Sequence, residues 1–267
     1  MLKTIERVAL WSPAIFLAAL SLFLLSEGAA DLTAETRLGE RSGRLGGVAP
    51  ILINTLVIVA AALALTTPIS LSAALAYLIG ESSPKGAAAG RIARRVLEIG
   101  LCSPRLFWGL AGAVVFGGVF GLGLSAASGA LTLACLLIPI MTTSFIEGVG
   151  EAGRPLAPTC RALGYDEATF WIGVVLPTAT PTLRTGFLLA LSRGLGDAAA
   201  LMLTAGFGLS LLSGIDASAA TLAVYIYKVI EVGGDVAQAS ACALILLVLS
   251  AASQAPLVIS AGRGSIR

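Results

Sequence analysis

The sequence predicts an all-α membrane protein with six transmembrane helices, on two observations. The chain is 57% hydrophobic and 12% charged, with mean hydropathy +0.95, whereas soluble domains carry about one-quarter charged residues. Apolar runs at Val8–Leu25, Ile51–Ile79, Leu106–Leu124, Leu131–Ile146, Leu183–Leu212 and Cys242–Ile259 approach or exceed the ~20 residues that a spanning helix requires.

Taken in order, the first run has a positive flank in Lys3 and Arg7 and a small-residue stretch after Ser26, as a signal peptide would. It is longer than a usual signal core, so an uncleaved anchor is expected. Residues 1–48 read as this anchor and an outer loop, and residues 49–262 as the remaining five spans. Thr66, Thr67 and Pro68 interrupt the second run, where a kink and a projection into the cytoplasm are expected. The third follows Cys102-Ser103-Pro104 and is studded with Gly109, Gly112, Gly117, Gly118, Gly121 and Gly123. Such spacing lets helix backbones approach closely in lipid. The fourth run is short and is expected to borrow flanking residues.

Between the fourth and fifth runs lies the longest polar segment, Glu147 to Trp171, part of a loop extending to Pro177. A short helix is expected from Pro158 or Thr159, with proline tolerated in its first turn. It should pass through Cys160, Arg161, Ala162 and Leu163 and stop at Gly164, a natural C-terminal cap. Asp166 is a fair N-cap for a second helix, which carries Phe170, Trp171, Val174 and Val175 to Leu176-Pro177. The product is an elbow displayed on one membrane surface.

Lys and Arg in short loops set orientation. Lys3 and Arg7, then Lys85, Arg91, Arg94 and Arg95, then Arg154 and Arg161, then Arg263 and Arg267 all fall on one side. Both termini and the elbow are therefore expected in the cytoplasm, with Ser26–Val48 and Ser213–Gln238 outside. The cluster Arg91, Arg94, Arg95 reads as a topology and headgroup feature, and Glu98 and Arg105 as side chains snorkelling to the interface.

The chain has no histidine, which removes His-based acid–base and metal chemistry. Cys102, Cys135, Cys160 and Cys242 have no metal or redox spacing, and no phosphate-cradling glycine loop ending in Gly-Lys-Ser/Thr is present. No catalytic site, metal site or nucleic-acid partner is expected. Uphill movement of a solute would draw on a partner or an ion gradient.

Arg193 and Asp197 sit four residues apart inside the fifth apolar run. On a continuous helix they share one face. Intramembrane charges each cost about 2.5–3.5 kcal/mol on insertion, so they either neutralise each other or line a polar path. A guanidinium suits oxyanion oxygens. The carboxylate would accept a hydrogen bond from a protonated oxyanion such as phosphate, for which sulfate has no counterpart. Gly194 and Gly196 would open the backbone beside the pair.

Arg161-Ala162-Leu163-Gly164 with Val174-Val175-Leu176-Pro177 resembles the cytoplasmic loop of ABC importer permeases; Pro158-Thr159-Cys160 departs from the family's Glu-Ala-Ala. Gly46-Gly47-Val48 before Asn54-Thr55-Leu56, Ser103–Leu110, Leu189–Asp197 with Leu203-Thr204-Ala205, and Thr221–Tyr227 are similar to the phosphate-specific branch. Asp197 and Ala198 stand where that branch has Glu and Thr. The resemblance implies a type I permease whose coupling helix (Thr159–Gly164, then Leu176-Pro177) docks on an ATPase, in a bacterial inner membrane. It implies two ATPase subunits holding ATP and Mg, no cofactor on this chain, a homologous second permease, and a periplasmic or surface-attached binding protein. Inorganic phosphate is the implied substrate, with molybdate, tungstate or sulfate as alternatives. An ATPase-independent carrier or channel is the rival class; an intramembrane enzyme and a non-transporting scaffold are remoter ones.

Overall fold

A computed structural model describes residues 19–26, 48–81, 84–233 and 235–264, with side chains omitted for residues 84–85 and 257–264. Lys3, Arg7, most of the first apolar run, most of the 26–48 loop and Arg267 lie outside the described residues. Residues 19–26 are helical, and no strand occurs among the described residues.

Two long helices form the spine. Helix α1 (Val48–Gly80) and helix α4 (Ala126–Gly153) make the most extensive contact in the chain. At 1.5 Å per residue, the 33 residues of α1 extend for roughly 50 Å, longer than the ~30 Å hydrocarbon layer. Pro68 lies within α1 without ending it. Nearby hydroxyls instead serve both helices. Thr66 Oγ1 donates to Ala62 O (2.8 Å) and reaches Ala134 O of α4 (3.3 Å), while Ser70 Oγ donates to Ile138 O (3.4 Å). Small residues and hydroxyls between helices are the usual means of association in lipid. Ile58, Val59, Ala62, Leu133, Leu137 and Met141 fill the seam.

Helix α2 (Pro84–Cys102) and helix α3 (Arg105–Gly112) meet at Ser103-Pro104. Gly86–Cys102 and Arg105–Val119, α3 with its π-helical extension Ala113–Val119, are bent by 99°. The apolar run Leu106–Leu124 thus begins just after this bend, and its helical part ends at Val119. Proline cannot continue the preceding helix and biases the residue before it away from the helical region. Gly109 and Gly112 serve the expected close approach. A Cβ on Gly109 would lie 2.8 Å from Ala200 Cα, and one on Gly112 would collide with Thr132.

The fifth run is broken as well. Helix α6 (Thr180–Leu195) stops at Gly196, and helix α7 (Ala199–Thr204) starts after Asp197-Ala198. Residues 205–221 then fold back without regular structure. Buried Asn54 of α1 holds them: its Nδ2 donates to Ser210 O (2.9 Å) and its Oδ1 accepts from Leu212 N–H (3.0 Å). Thr55 Oγ1 accepts from Leu222 N–H (2.8 Å). The first amides of α4 are satisfied by the same segment, Ala126 N–H by Ala217 O and Ala127 N–H by Ile215 O. Backbone at membrane depth requires such internal partners.

The stretch read as an outer loop, Ser213–Gln238, contains a helix, α8 (Leu222–Gly233), packed on helix α9 (Val236–Gly264). Tyr225 is fully buried there, its hydroxyl accepting from Gln238 Nε2 at 3.0 Å. Among the described residues three helices are long and apolar enough to cross a bilayer, Val48–Gly80, Ala126–Gly153 and Val236–Pro256, or up to five spans if each bent pair counts as one. Most of the first of the six expected crossings lies outside the described residues; the third run is entered through the bend at Ser103-Pro104, and the fifth is broken at Gly196.

Asn54→Ala strands Ser210 O and Leu212 N–H. It is expected to lower stability by about 1–3 kcal/mol, read as a reduced melting temperature of the detergent-purified protein and faster proteolysis within residues 205–221.

Candidate functional site: a charged knot and an exposed elbow

The break in the fifth apolar run changes the geometry of its charges. Arg193 lies in the last turn of α6, and Asp197 follows the helix end. They do not share a helix face as the spacing suggested. Asp197 instead pairs with Arg105, 92 residues earlier: Arg105 Nη1 donates to Asp197 Oδ2 at 2.8 Å. Asp197 Oδ1 accepts from Ala200 N–H at 3.1 Å, capping the first turn of α7. The Asp197 side chain is 0% exposed and that of Arg105 33%. Arg105 is therefore no interfacial snorkel, and Glu98 pairs with Arg94 on the surface (3.3 Å).

The local chemistry explains the contact. Ser103-Pro104 turns the chain so that Arg105 opens α3, and Gly109 lets α3 lie against Ala199 and Ala200. That approach delivers the guanidinium to the start of α7. A buried carboxylate needs both a counter-charge and filled lone pairs to be tolerated, and Asp197 has one partner on each oxygen. Because its side chain is fully buried and does not line the neighbouring cavity, Asp197 does not present the acceptor that would single out a protonated oxyanion.

Arg105 and Arg193 line one small cavity of about 80 Å³ with Gly100, Leu101, Ser103, Trp108, Leu136 and Ile140. Leu136 and Ile140 are near the middle of α4, so the cavity lies at mid-length of that helix, and exposed Leu101 and Arg193 border it. Two guanidiniums against one carboxylate leave a surplus positive charge at its wall. Among the described residues Arg193 makes no ion pair. Gly194 is buried against Val59, Leu133 and Leu137, and Gly196 caps α6 at the surface.

The elbow has the expected form. Helix α5 (Ala157–Ala162) carries proline in its first turn and ends at Leu163, with Gly164 at φ +79°. Tyr165 N–H donates to Cys160 O and Gly164 N–H to Arg161 O, both at 3.1 Å, which together satisfy the last carbonyls of the helix. A second helical stretch, Thr169–Val175 with π-type winding and then Leu176–Thr178, follows. Asp166 Oδ2 accepts from Thr169 N–H (3.2 Å), and its other oxygen from the Thr169 hydroxyl. The Thr169 hydroxyl, then its amide, hold the Asp166 carboxyl below the usual carboxylate range. Thr169–Thr178 meets Thr180–Leu195 at 72°.

The cassette divides by exposure. Cys160 (7% exposed) is the inward tether, packed with Leu78, Val149, Phe170, Val175 and Ala179. Thr159, Arg161, Ala162, Gly164 and Pro177 are exposed, as is Leu163 at 70%; Leu176 is half-buried. Arg161 reaches Glu167 across the turn at 3.6 Å.

Removing Arg105 alone leaves a buried unpaired carboxylate. Arg105→Gln is expected to destabilise the fold by about 3–5 kcal/mol, and the pair Arg105→Gln with Asp197→Asn to recover most of it, measured as thermal melting and folded yield.

The profile of the binding-protein-dependent transport system inner membrane component family matches residues 67–255, well over half of the chain. The probable ABC transporter permease protein YqgI of Bacillus subtilis is 28% identical over 161 residues, covering 60% of this chain and 54% of the relative. The probable phosphate transport system permease protein PstA of Methanocaldococcus jannaschii is 30% identical over 168 residues, covering 60% and 56%. A PstA homolog of Mycoplasma pneumoniae is 28% identical over 188 residues, covering 66% and 28%. The chain thus spans about half or less of the length of these relatives. The matched stretch contains the elbow, the charged knot, all of α4 and α1 from Thr67 onward. The chain belongs to the family of binding-protein-dependent transport system inner membrane components, the membrane permeases of ABC transporters, and is PstA-like within it.

Proposed function

We propose that this chain is the transmembrane permease subunit of an ATP-driven importer that moves inorganic phosphate across the bacterial cytoplasmic membrane. Residues 1–48 serve as anchor and outer loop and residues 49–262 as the permease domain, with both termini and the elbow in the cytoplasm. The chain has no catalytic site of its own. Two copies of a partner ATPase hold ATP and Mg, a homologous permease completes the path, and a periplasmic or surface-attached binding protein delivers the substrate.

The observation that carries this reading is the elbow. It presents Leu163 and Tyr165 to solvent at the tip of a glycine-capped turn while Cys160 and Phe170 root it in the bundle. An exposed apolar tip on a rigid base can receive a push and pass it to α4 and α6, against which its base packs. The relatives named as phosphate permeases and the surplus positive charge at the Arg105–Arg193 cavity support an anionic cargo. Another oxyanion, such as molybdate, tungstate or sulfate, stays open on a specific ground. Asp197 is fully buried and does not line the cavity, so it presents no acceptor to the proton that distinguishes phosphate. Competition between these anions during binding-protein-dependent uptake decides between them.

Gly164 has a left-handed backbone and open space around it, so an added methyl costs backbone energy alone, about 1–2 kcal/mol. In proteoliposomes Gly164→Ala is expected to reduce ATP-driven phosphate uptake and Gly164→Asn, which tolerates that conformation, to retain most of it. Leu163→Asp is expected to weaken co-purification with the nucleotide-binding subunit; uptake that persists without ATP contradicts the reading.

A further inference from the structure

We infer that Arg105 is the second anion-binding group of the cavity, and that Asp197 is a positioning residue that fixes the Arg105 guanidinium beside Arg193. The inference rests on the importer reading and adds a recognition set: two guanidiniums on α3 and α6 that take a tetrahedral oxyanion between them.

Sequence spacing points to Arg193 and Asp197 as the pair facing cargo, and the geometry assigns the roles differently. Asp197 is fully buried with one donor on each oxygen, so no part of it is available to a ligand. Arg105 is a third exposed and lines the same cavity as Arg193. A guanidinium has five N–H donors. One of Arg105's is committed to Asp197, leaving the rest of the fork for the cavity. Arg193 has no ion-pair partner among the described residues. The cavity of about 80 Å³ holds a small, partly hydrated ion, at about 10–15 Å³ for each water.

The carboxylate has two effects on its neighbour. It fixes a long side chain that would otherwise sample many rotamers, which lowers the ordering cost when an anion arrives. It also offsets one of two like charges at the wall, so Arg105 and Arg193 can stand close without mutual repulsion. Binding then needs to overcome a single surplus charge's hydration, which favours release as well as capture. A rival account gives Arg105 the sole task of neutralising Asp197. The two accounts give different uptake kinetics when both charges are removed together.

The test uses the assembled transporter, with both permeases, the ATPase and saturating binding protein, in proteoliposomes, with inorganic phosphate as probe. KM and Vmax of uptake are measured alongside substrate-independent ATP hydrolysis. The R105Q/D197N double variant leaves no orphaned charge. It is expected to assemble and retain basal ATP hydrolysis, with KM for phosphate raised about tenfold or more, as the loss of a charge-assisted hydrogen bond requires. Assembly with KM within about twofold of the parent overturns the inference, because that change is below the loss of one such contact.

If the double variant does not assemble, Arg105→Lys decides. It keeps the charge that Asp197 needs and loses the planar fork. A KM raised about fivefold or more supports the inference, and one unchanged overturns it. Arg193→Gln is run in parallel. Uptake lost with Arg193→Gln but normal in the double variant removes Arg105's role and leaves the cavity as the path. Uptake unaffected by Arg193→Gln removes the cavity itself.

Discussion

A carboxylate with no access to water, Asp197, constrains much of this fold. Leaving such a group unpaired in an apolar bundle costs several kcal/mol, so the chain must bring a cation to it. Arg105 is that cation, and its delivery depends on other features. Pro104 breaks the chain after α2, Gly109 lets α3 press against α7, and Gly196 ends α6 so that Asp197 can turn and cap Ala200. The helix break before the third apolar run and the one within the fifth thus build one polar knot around buried Asp197. Asp197 and the backbone of residues 205–221 find partners within the protein, as groups away from water require.

The knot and the elbow lie at opposite ends of α6. Ala179 and Leu183 at its start pack with the elbow's base, while Arg193 in its last turn reaches the cavity. Both ends also contact α4, through Val149 near the elbow and Leu136 and Ile140 near the cavity. A displacement applied at Leu163 therefore has a direct mechanical route to the cavity wall through two packed helices. The route is one of contact, and its coupling strength is a matter for measurement.

Sequence reading succeeded where the determining signals are local. The elbow's proline start, glycine stop and Asp166 cap each act within a few residues, and the helix ends fall within about two positions of those expected. The glycines of the third run also gave the close approach correctly at Gly109 and Gly112. Reading failed where a continuous helix was assumed. The four-residue spacing of Arg193 and Asp197 puts both on one face only if the helix continues, and Gly194-Leu195-Gly196 before an aspartate is a stop-and-cap signal in hindsight. Arg105's role had no local sign, because it depends on a contact 92 residues away. The helix α8 was masked by its few charges, which made Ser213–Gln238 resemble a solvated loop, although its buried face is apolar.

The family assignment and the geometry are independent. The family profile covers residues 67–255 without reference to any cavity, and the Arg105–Asp197 bond is a matter of geometry that involves no relative. Both arginines of the proposed anion site, Arg105 and Arg193, lie within the matched stretch. The most direct test is the structure of the assembled transporter trapped with inorganic phosphate. The account predicts ligand density within hydrogen-bond distance of both the Arg105 and Arg193 guanidiniums, with Asp197 still bonded to Arg105. Phosphate resting on other residues, with Arg105 turned wholly towards Asp197 and closed off from the ligand, would contradict it.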